Sequence, residues 1–535
     1  MNLFQAIFTG QSESSLAVLS ENLLITYGDL RNQTLGVAAV LNLIEVGKGE
    51  RVALLLNDSL EFVASFISTC SLGAIAVPIN MGLRVDEQRA ILNDCTARVA
   101  IVEADLCSSL LTGARESLRE LKVVLVVSRN EERELVTETR KHAQSAGGQG
   151  DNPDIQSLKH LIHEANDLPR QAFPEPEADE AAVILYTSGS TGEPKGAVHR
   201  QADIFYTNES YCREVLRLRA GDRIFSSSRL PFAYGLGNSL SFPLLNGVTS
   251  ILCRPKPTPE VISRVFSEGR PTIFFGVPVV YKLLLDYHRR SGDLDCSSLR
   301  LCVSAGEALP AQLGEDWEKT FGVEVLDGIG STEMMHMFMS NHEKEVRYGS
   351  SGKLLKGYEA RLLNQDGNPT AEGDSGNLWV RGGSAAIGYW QKPEVTARTF
   401  VNGWVRTGDL YARDRDGFWT HMGRSDDCFK SSGQWVSPVE VEGALLRHKG
   451  VSQVAVVEDF DKDGLPCACA FVMCEDSLVD LAKLEDELRE ILRALLPRFK
   501  QPRRYVFVEE LPYTATGKIQ RFKLRDRLKS AEGMA

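Results

Sequence analysis

Nowhere in these 535 residues does an apolar run approach the ~20 needed to cross a bilayer as a helix. The opening MNLFQAIFTGQSESS also lacks a basic stretch ahead of its apolar residues. Neither a membrane span nor a secretory leader is therefore expected. The 11 cysteines are scattered, only Cys467 and Cys469 lie close together, and no CxxC pair occurs. A zinc site and a disulfide framework are both unsupported, and a reducing, cytoplasmic setting is the expectation. Positive charge is in short supply as well: 60 Lys and Arg face 72 Asp and Glu, a formal net charge of -12. That balance excludes a general affinity for nucleic acid or an anionic membrane. Internal repeats and low-complexity tracts are missing too.

What is present is a chain with 43% hydrophobic residues, long enough for large cores and too long for one ordinary domain. Apolar runs at residues 51–57, 74–80, 98–104 and 122–129 alternate with helical patterns such as residues 59–72. This alternation predicts βαβ units and a parallel sheet. Residues 131–154 are polar and rich in Gly and Gln, which reads as a surface excursion. Further apolar runs at 181–185, 249–253, 272–277 and 299–304 predict a second sheet of the same kind. From about residue 349 to 422 shorter strands with Asp-Gly turns at 366–367 and 416–417 predict antiparallel hairpins or a small barrel. Beyond Gly423 a small α+β unit is expected, with helices over 438–449 and 481–496 and strands over 451–459, 466–474 and 505–509. The predicted fold class is thus α/β: two parallel-type α/β sheets, a small barrel-like subdomain, and a small α+β C-terminal domain.

The stretch richest in chemistry is YTSGSTGEPKG, residues 186–196, which follows the strand-like run 181–185. Open α/β sheets bind ligands at the C-terminal ends of their strands. Hydroxyls, unhindered backbone N–H groups and one lysine lie within one turn's reach, a composition that can wrap a polyphosphate. The Walker spacing is not met by Gly189 or Gly192, so an ordinary P-loop NTPase is disfavoured. A flexible Gly/Ser surface turn is the bland alternative. Later in the chain DGIGSTE (327–333) sets a hydroxyl beside a carboxylate after a Gly-rich turn, and a carboxylate there can hold Mg²⁺ against a phosphate oxygen. SAGEA (304–308), RTGD (406–409), GRSDD (423–427), KSSGQWVSP (430–438) and TATGKIQR (514–521) complete the set. Taken alone, DGIGSTE could be a glycine turn leading into a Met-rich core helix, SAGEA a common strand-to-helix turn, GRSDD a solvated loop, and the lysine of TATGKIQR a surface residue.

Together and in this order they resemble the adenylate-forming superfamily of acyl-CoA synthetases, luciferases and peptide-synthetase adenylation domains, over nearly the whole chain. The resemblance implies ATP, Mg²⁺ and coenzyme A as cofactors or co-substrates. It implies that Thr187, Ser188, Gly189, Ser190, Thr191, Gly192 and Lys195 bind ATP or AMP, and that Gly306, Glu307, Asp327, Gly328 and Ile329 line the adenine side. Ile329 stands where many relatives carry a stacking tyrosine. Thr332 would contact the α-phosphate, Glu333 the metal, Asp409 both ribose hydroxyls, and Arg424 ribose or phosphate. Lys518 would be the catalytic lysine of adenylation, Asp426 the hinge between residues 1–425 and a mobile lid 426–535, and Gly433 part of the CoA tunnel.

The segment PFAYGLGN (231–238) and the run MMHMF (334–338) resemble the benzoate-CoA ligase branch in particular. By that resemblance Ala233, Tyr234, Gly328 and His336 surround an aromatic acid, Ala233 and Gly328 leaving room for a flat ring. The implied activity is ATP-dependent activation of benzoate or 2-aminobenzoate (anthranilate) to aroyl-AMP and then to the CoA thioester. The alternatives are an enzyme that loads the adenylate onto a carrier protein, and a catalytically silent sensor of aryl acid or nucleotide. Partners are expected to be small molecules, with no nucleic acid and no membrane, and a homodimer is the candidate assembly.

Overall fold

Val52, Ala53, Leu54 and Leu55 have no exposed surface, the pattern of a parallel strand covered on both faces. Val52 and Leu54 pack with Val37 and Phe62 on one side, whereas Ala53 and Leu55 pack with Ile91 and Leu110 on the other. The computed structural model describes residues 1–535 apart from 22, 113–117, 129–152, 166–171, 178, 189–193, 432–433, 462–463, 476–479, 514–518 and 533–535. Within it Arg51–Leu55 belongs to an eight-stranded sheet ordered Gly388–Tyr389, Pro194–Arg200, Ala181–Ser188, Ile75–Pro78, Arg51–Leu55, Val99–Glu103, Val123–Val127 and Asp154–Ser157. The polar excursion foreseen over 131–154 lies almost wholly outside the described residues.

A second, nine-stranded sheet runs Lys353–Leu354, Met337–Ser340, Val325–Gly330, Leu301–Ser304, Ile273–Gly276, Arg223–Ser226, Thr249–Leu252, Leu16–Ser20 and Leu23–Thr26. Its six middle strands pair parallel, as the βαβ pattern predicts. Two features differ from the sequence reading. The apolar run at 181–185, expected to open the second sheet, belongs to the first: it extends to Ser188 beside Ile75–Pro78 and pairs antiparallel with Pro194–Arg200, because strand pairing is set by the tertiary partner. Likewise the Asp-Gly-Ile-Gly of DGIGSTE is strand, not turn, and pairs antiparallel with Met337–Ser340. The glycines permit this close approach: a Cβ on Gly328 would meet the Met339 carbonyl at 2.7 Å, and one on Gly330 the His336 carbonyl at 2.5 Å.

The hairpins expected after residue 349 form a five-stranded sheet of Glu359–Leu363, Gly376–Arg381, Trp404–Arg413, Phe400–Val401 and Trp419–Arg424. Beyond it stand the elements foreseen for the C-terminal unit: Pro438–Leu445, Val451–Phe460, Pro466–Cys474, Leu481–Leu495 and Arg504–Phe507. Leu484, Leu488 and Leu492 give that last long helix one buried stripe against the Val451–Phe460 hairpin. Among the described residues no helix is long and apolar enough to cross a membrane.

Candidate active site

Strand pairing brings Thr187 opposite Lys195 and Ser188 opposite Pro194 at the end of the first sheet's hairpin that leads into residues 189–193. Gly189, Ser190, Thr191 and Gly192 lie outside the described residues. The Lys195 ammonium stands 5.9 Å from the centre of the Tyr389 ring, and the Tyr389 hydroxyl donates to Glu333 Oε1 at 2.7 Å. Cation, phenol and carboxylate therefore form one half-buried row. Burial, with the Glu333 charge adding to it, pushes the Tyr389 phenol up from its usual range, so it remains a donor.

Thr332 and Glu333 sit on a 3₁₀ turn, Thr332–Met334, that the neighbouring hairpin grips from behind. Ala386 N–H donates to the Glu333 carbonyl at 2.8 Å. His199, fully buried, has Nε2 2.7 Å from the Thr332 carbonyl and Nδ1 3.0 Å from Asp203 Oδ2. The imidazole thus stands between the Asp203 carboxylate and the backbone of the turn. Asp203 also receives the Arg200 guanidinium, which completes a buried charged chain behind the turn. At the far end of the turn Met335 takes φ +64° while His336 N–H bonds the Met334 carbonyl at 2.7 Å, a tight three-residue reversal.

Of the residues expected to line the adenine side, Gly306 occupies the left-handed region at φ +93° and Glu307 is exposed. Asp327 is 2% exposed. Burial pushes its carboxyl well above the usual range, although the Leu309 N–H, 3.4 Å from Oδ2, pulls the other way. This carboxyl fastens the turn after Leu301–Ser304 to the next strand. Its Oδ1 has no hydrogen-bond partner among the described residues. Ile329, expected on the adenine side, is half-buried opposite Met339 and packs against an apolar cluster.

Asp409 and Arg424 face one another across paired strands, and Arg424 Nη1 lies 3.2 Å from Asp409 Oδ1. Burial is the largest single influence and would lower the Arg424 pKa, but the Asp409 charge and hydrogen bond, with Asp426 and Glu333 added, together make the net shift upward. Glu333 is among the carboxylates acting on Arg424, so ribose and metal motifs share one electrostatic neighbourhood. Next along the chain Ser425 N–H and Oγ both donate to the Gly408 carbonyl at 2.9 Å. Two residues later Asp427 pairs instead with Arg525 at 3.1 Å on the C-terminal helix. Asp426 lies exposed between these two attachments. Gly433 and Lys518 lie outside the described residues. Tyr513, just before the lysine motif, and Arg521, its last residue, are within electrostatic reach of Glu307.

The aromatic motif also gathers. His336, 3% exposed, is enclosed by Phe242, Tyr211 and Tyr234 with ring centroids at 4.6, 5.2 and 5.6 Å. Its Nε2 is 3.1 Å from Asn238 Oδ1, which makes Nε2 the donor and leaves Nδ1, without a partner among the described residues, as an acceptor. Burial lowers the ring's pKa to about 3, so it is neutral. Ala233 and Tyr234 open the short helix Ala233–Leu236 beside it. Gly328, expected to leave room for a ring, instead turns its missing side chain toward Met339. Gly237 leaves room for the imidazole itself, since a Cβ there would stand 2.4 Å from His336 Cδ2.

Sequence reasoning missed Tyr389, His199, Asp203, Asn238 and Gly237. The His199/Asp203 spacing of four residues across a strand-to-helix junction was a local signal for that pair, and Gly237 and Asn238 close the PFAYGLGN segment without having been assigned a role.

A family model for the AMP-binding enzyme matches residues 8–390, and one for the AMP-binding enzyme C-terminal domain matches residues 440–518. The chain is 40% identical over 484 residues to a benzoate-CoA ligase of Thauera aromatica, covering 89% of this chain and 85% of the relative. Among solved structures it is similar to an anthranilate-CoA ligase in complex with anthranoyl-AMP, with TM-score 0.90, 35% identity, and coverage of 100% of this chain and 98% of that one. A benzoate-CoA ligase from Burkholderia xenovorans LB400 gives TM-score 0.85 and 34% identity over 98% of this chain and all of that one. With both family models matched in order and relatives covered over most of their length, the chain belongs to the AMP-binding enzyme family.

Proposed function

We propose that this protein is an aryl-CoA ligase acting on benzoate-type acids. One observation carries the reading: the segment 327–336 runs without interruption from the adenine side, through Thr332 and Glu333, to the His336 ring enclosure. An aromatic acid held beside Tyr234 and His336 would present its carboxylate to a nucleotide phosphate held at the turn. In the first half-reaction a carboxylate oxygen bonds the α-phosphorus and the bond to the bridging oxygen of the β-phosphate breaks, releasing pyrophosphate. In the second the CoA sulfur bonds the acyl carbon, the acyl–O–phosphate bond breaks, AMP leaves, and the thiol proton passes to solvent.

Lys195 and Arg424 supply positive charge around the phosphates, and Asp409 has acceptor capacity for two ribose hydroxyls. Glu333 fits a hard divalent cation: Tyr389 engages only Oε1, and Oε2 takes no partner among the described residues. Mg²⁺ bound there would neutralise charge on the phosphate oxygens. Lys518 is assigned to adenylation and Gly433 to the CoA path by the motif match. The lid boundary is put at Asp426, because Ser425 is tied to Gly408 and Asp427 to Arg525.

Two features bear on the acid. The enclosure is small and aromatic, and the neutral His336 offers an acceptor at Nδ1, which suits an ortho-amino group as well as an unsubstituted ring. Cytoplasmic placement follows from the same reading, since ATP and CoA are drawn from that pool. The test is acid-dependent pyrophosphate release followed by thioester formation, with benzoate, anthranilate, hydroxybenzoates and octanoate as acids and free CoA or a carrier protein as acceptor. Preference for octanoate over every benzoate, or for carrier protein over CoA, would refute the assignment.

A further inference from the structure

The phosphate-loop hairpin does more than carry its loop. Its second strand, Pro194–Arg200, is paired on its outer edge with Gly388–Tyr389, and Ile387 and Trp390 N–H groups bond the Val198 and Gly196 carbonyls at 2.9 and 2.8 Å. This two-strand edge touches the Thr332–Glu333 turn at three points: His199 on the Thr332 carbonyl, Ala386 on the Glu333 carbonyl, and Tyr389 on the Glu333 carboxylate. The first two fix the backbone. Only the third fixes the direction of the carboxylate, which otherwise rotates freely about its side-chain bonds.

We propose that Tyr389 is a positioning residue: its hydroxyl holds Glu333 Oε1 and so aims Oε2 at the divalent cation carried by the nucleotide. The inference rests on the reading of Glu333 given above. The ring is itself held by Phe400 at 5.5 Å in an edge-on contact, and the Tyr389 backbone is anchored where its N–H donates to the Thr396 hydroxyl at 2.9 Å. Lys195 stands over the same ring. The phenol thus joins the lysine of the phosphate loop to the carboxylate of the metal motif, two elements 138 residues apart in a single file. An outer partner of this kind orients the ligand without touching the metal.

The experiment is the Tyr389→Phe protein, which removes one oxygen and keeps the ring against Phe400 and Lys195. Free Mn²⁺, followed by electron paramagnetic resonance in the presence of ATP and enzyme, reports metal binding without turnover. Tyr389→Phe is expected to weaken Mn²⁺ binding about 10- to 100-fold, and to lower adenylation at limiting Mg²⁺ with recovery when Mg²⁺ is raised. Thioester formation from supplied aroyl-AMP serves as the control, since it bypasses the metal, and the melting temperature without nucleotide reports any general damage. Glu333→Gln separates the two layers of the argument. If it leaves Mn²⁺ binding intact, the metal assignment itself fails. If Glu333→Gln weakens binding while Tyr389→Phe stays within about two-fold of wild type, or if the loss in Tyr389→Phe is not recovered at high Mg²⁺, the positioning role is overturned.

Discussion

Gly237→Ala is the sharpest probe of the acid enclosure. The glycine lies at φ -59° and ψ -56° in a helical segment, so alanine is at ease in the backbone and no strain enters there. Its Cβ, however, would stand 2.4 Å from His336 Cδ2, 2.8 Å from Nε2 and 3.2 Å from Phe242 Cε2. Ordinary carbon contacts begin near ~3.5 Å, so the imidazole must retreat by roughly 1 Å. Such a retreat breaks the 3.1 Å bond to Asn238 and closes on Tyr211 and Tyr234. Overpacking of this kind costs about 1–3 kcal/mol. Carried into acid binding, that is a loss of roughly 5- to 150-fold in kcat/KM for benzoate-type acids. Pyrophosphate release at saturating ATP with varied acid measures it, and the KM for ATP is the control, because Lys195, Asp409 and Arg424 are untouched. An unchanged acid kcat/KM, or equal losses for acid and ATP, would remove His336 from the substrate pocket.

Asp409→Asn should raise the KM for ATP and narrow the preference for ATP over 2′-deoxy-ATP, since an amide cannot accept from two hydroxyls as a carboxylate does; a preserved ratio would put the ribose elsewhere. Lys518→Ala should lose about 10²- to 10³-fold in aroyl-AMP formation while thioester formation from supplied aroyl-AMP persists; equal losses in both half-reactions would refute a lysine used in adenylation alone. The buried His336 also makes the fold acid-sensitive. Its native pKa near 3 lies below the unfolded value of 6.5, so the unfolded chain binds the extra proton, and stability rises with pH between about 3 and 6.5. At pH 5 this amounts to roughly 2 kcal/mol lost relative to neutral pH. His336→Phe should shrink the drop in melting temperature between pH 7.5 and pH 5, and a drop as large as in wild type would locate the acid sensitivity in another group.

How far these residues were legible in the chain depends on what each one responds to. The buried parallel strands announce themselves because Val, Ile and Leu must cover both faces, and runs such as residues 51–55 and 99–103 have no other stable use. Hydroxyls, glycines and carboxylates packed into short motifs announce themselves too, since 186–196 and 327–333 are costly compositions for a plain turn. The hairpin at Ser188 and Pro194 was invisible because pairing direction is chosen by the tertiary partner, not by the strand's own composition. The glycines of 327–330 were misread for a related reason. Glycine serves a turn and a crowded strand equally well, and only the distance to Met339 and His336 tells which.

Tyr389 is the extreme case. A tyrosine between glycine and tryptophan is an ordinary core residue by composition, and its partner Glu333 lies 56 positions upstream. His199 and Asp203 are nearly as opaque, because their purpose is a backbone carbonyl, Thr332, that has no sequence signature at all. The residues that touch ligands can be read from chemistry that repeats locally, whereas those that hold them in place act across strand pairings that no local pattern records. The edge formed by Pro194–Arg200 and Gly388–Tyr389 is where this difference matters most. It makes the aim of the metal carboxylate depend on the same strand that presents Lys195, so a shift of the phosphate-loop hairpin would be carried through His199 and Tyr389 to Glu333.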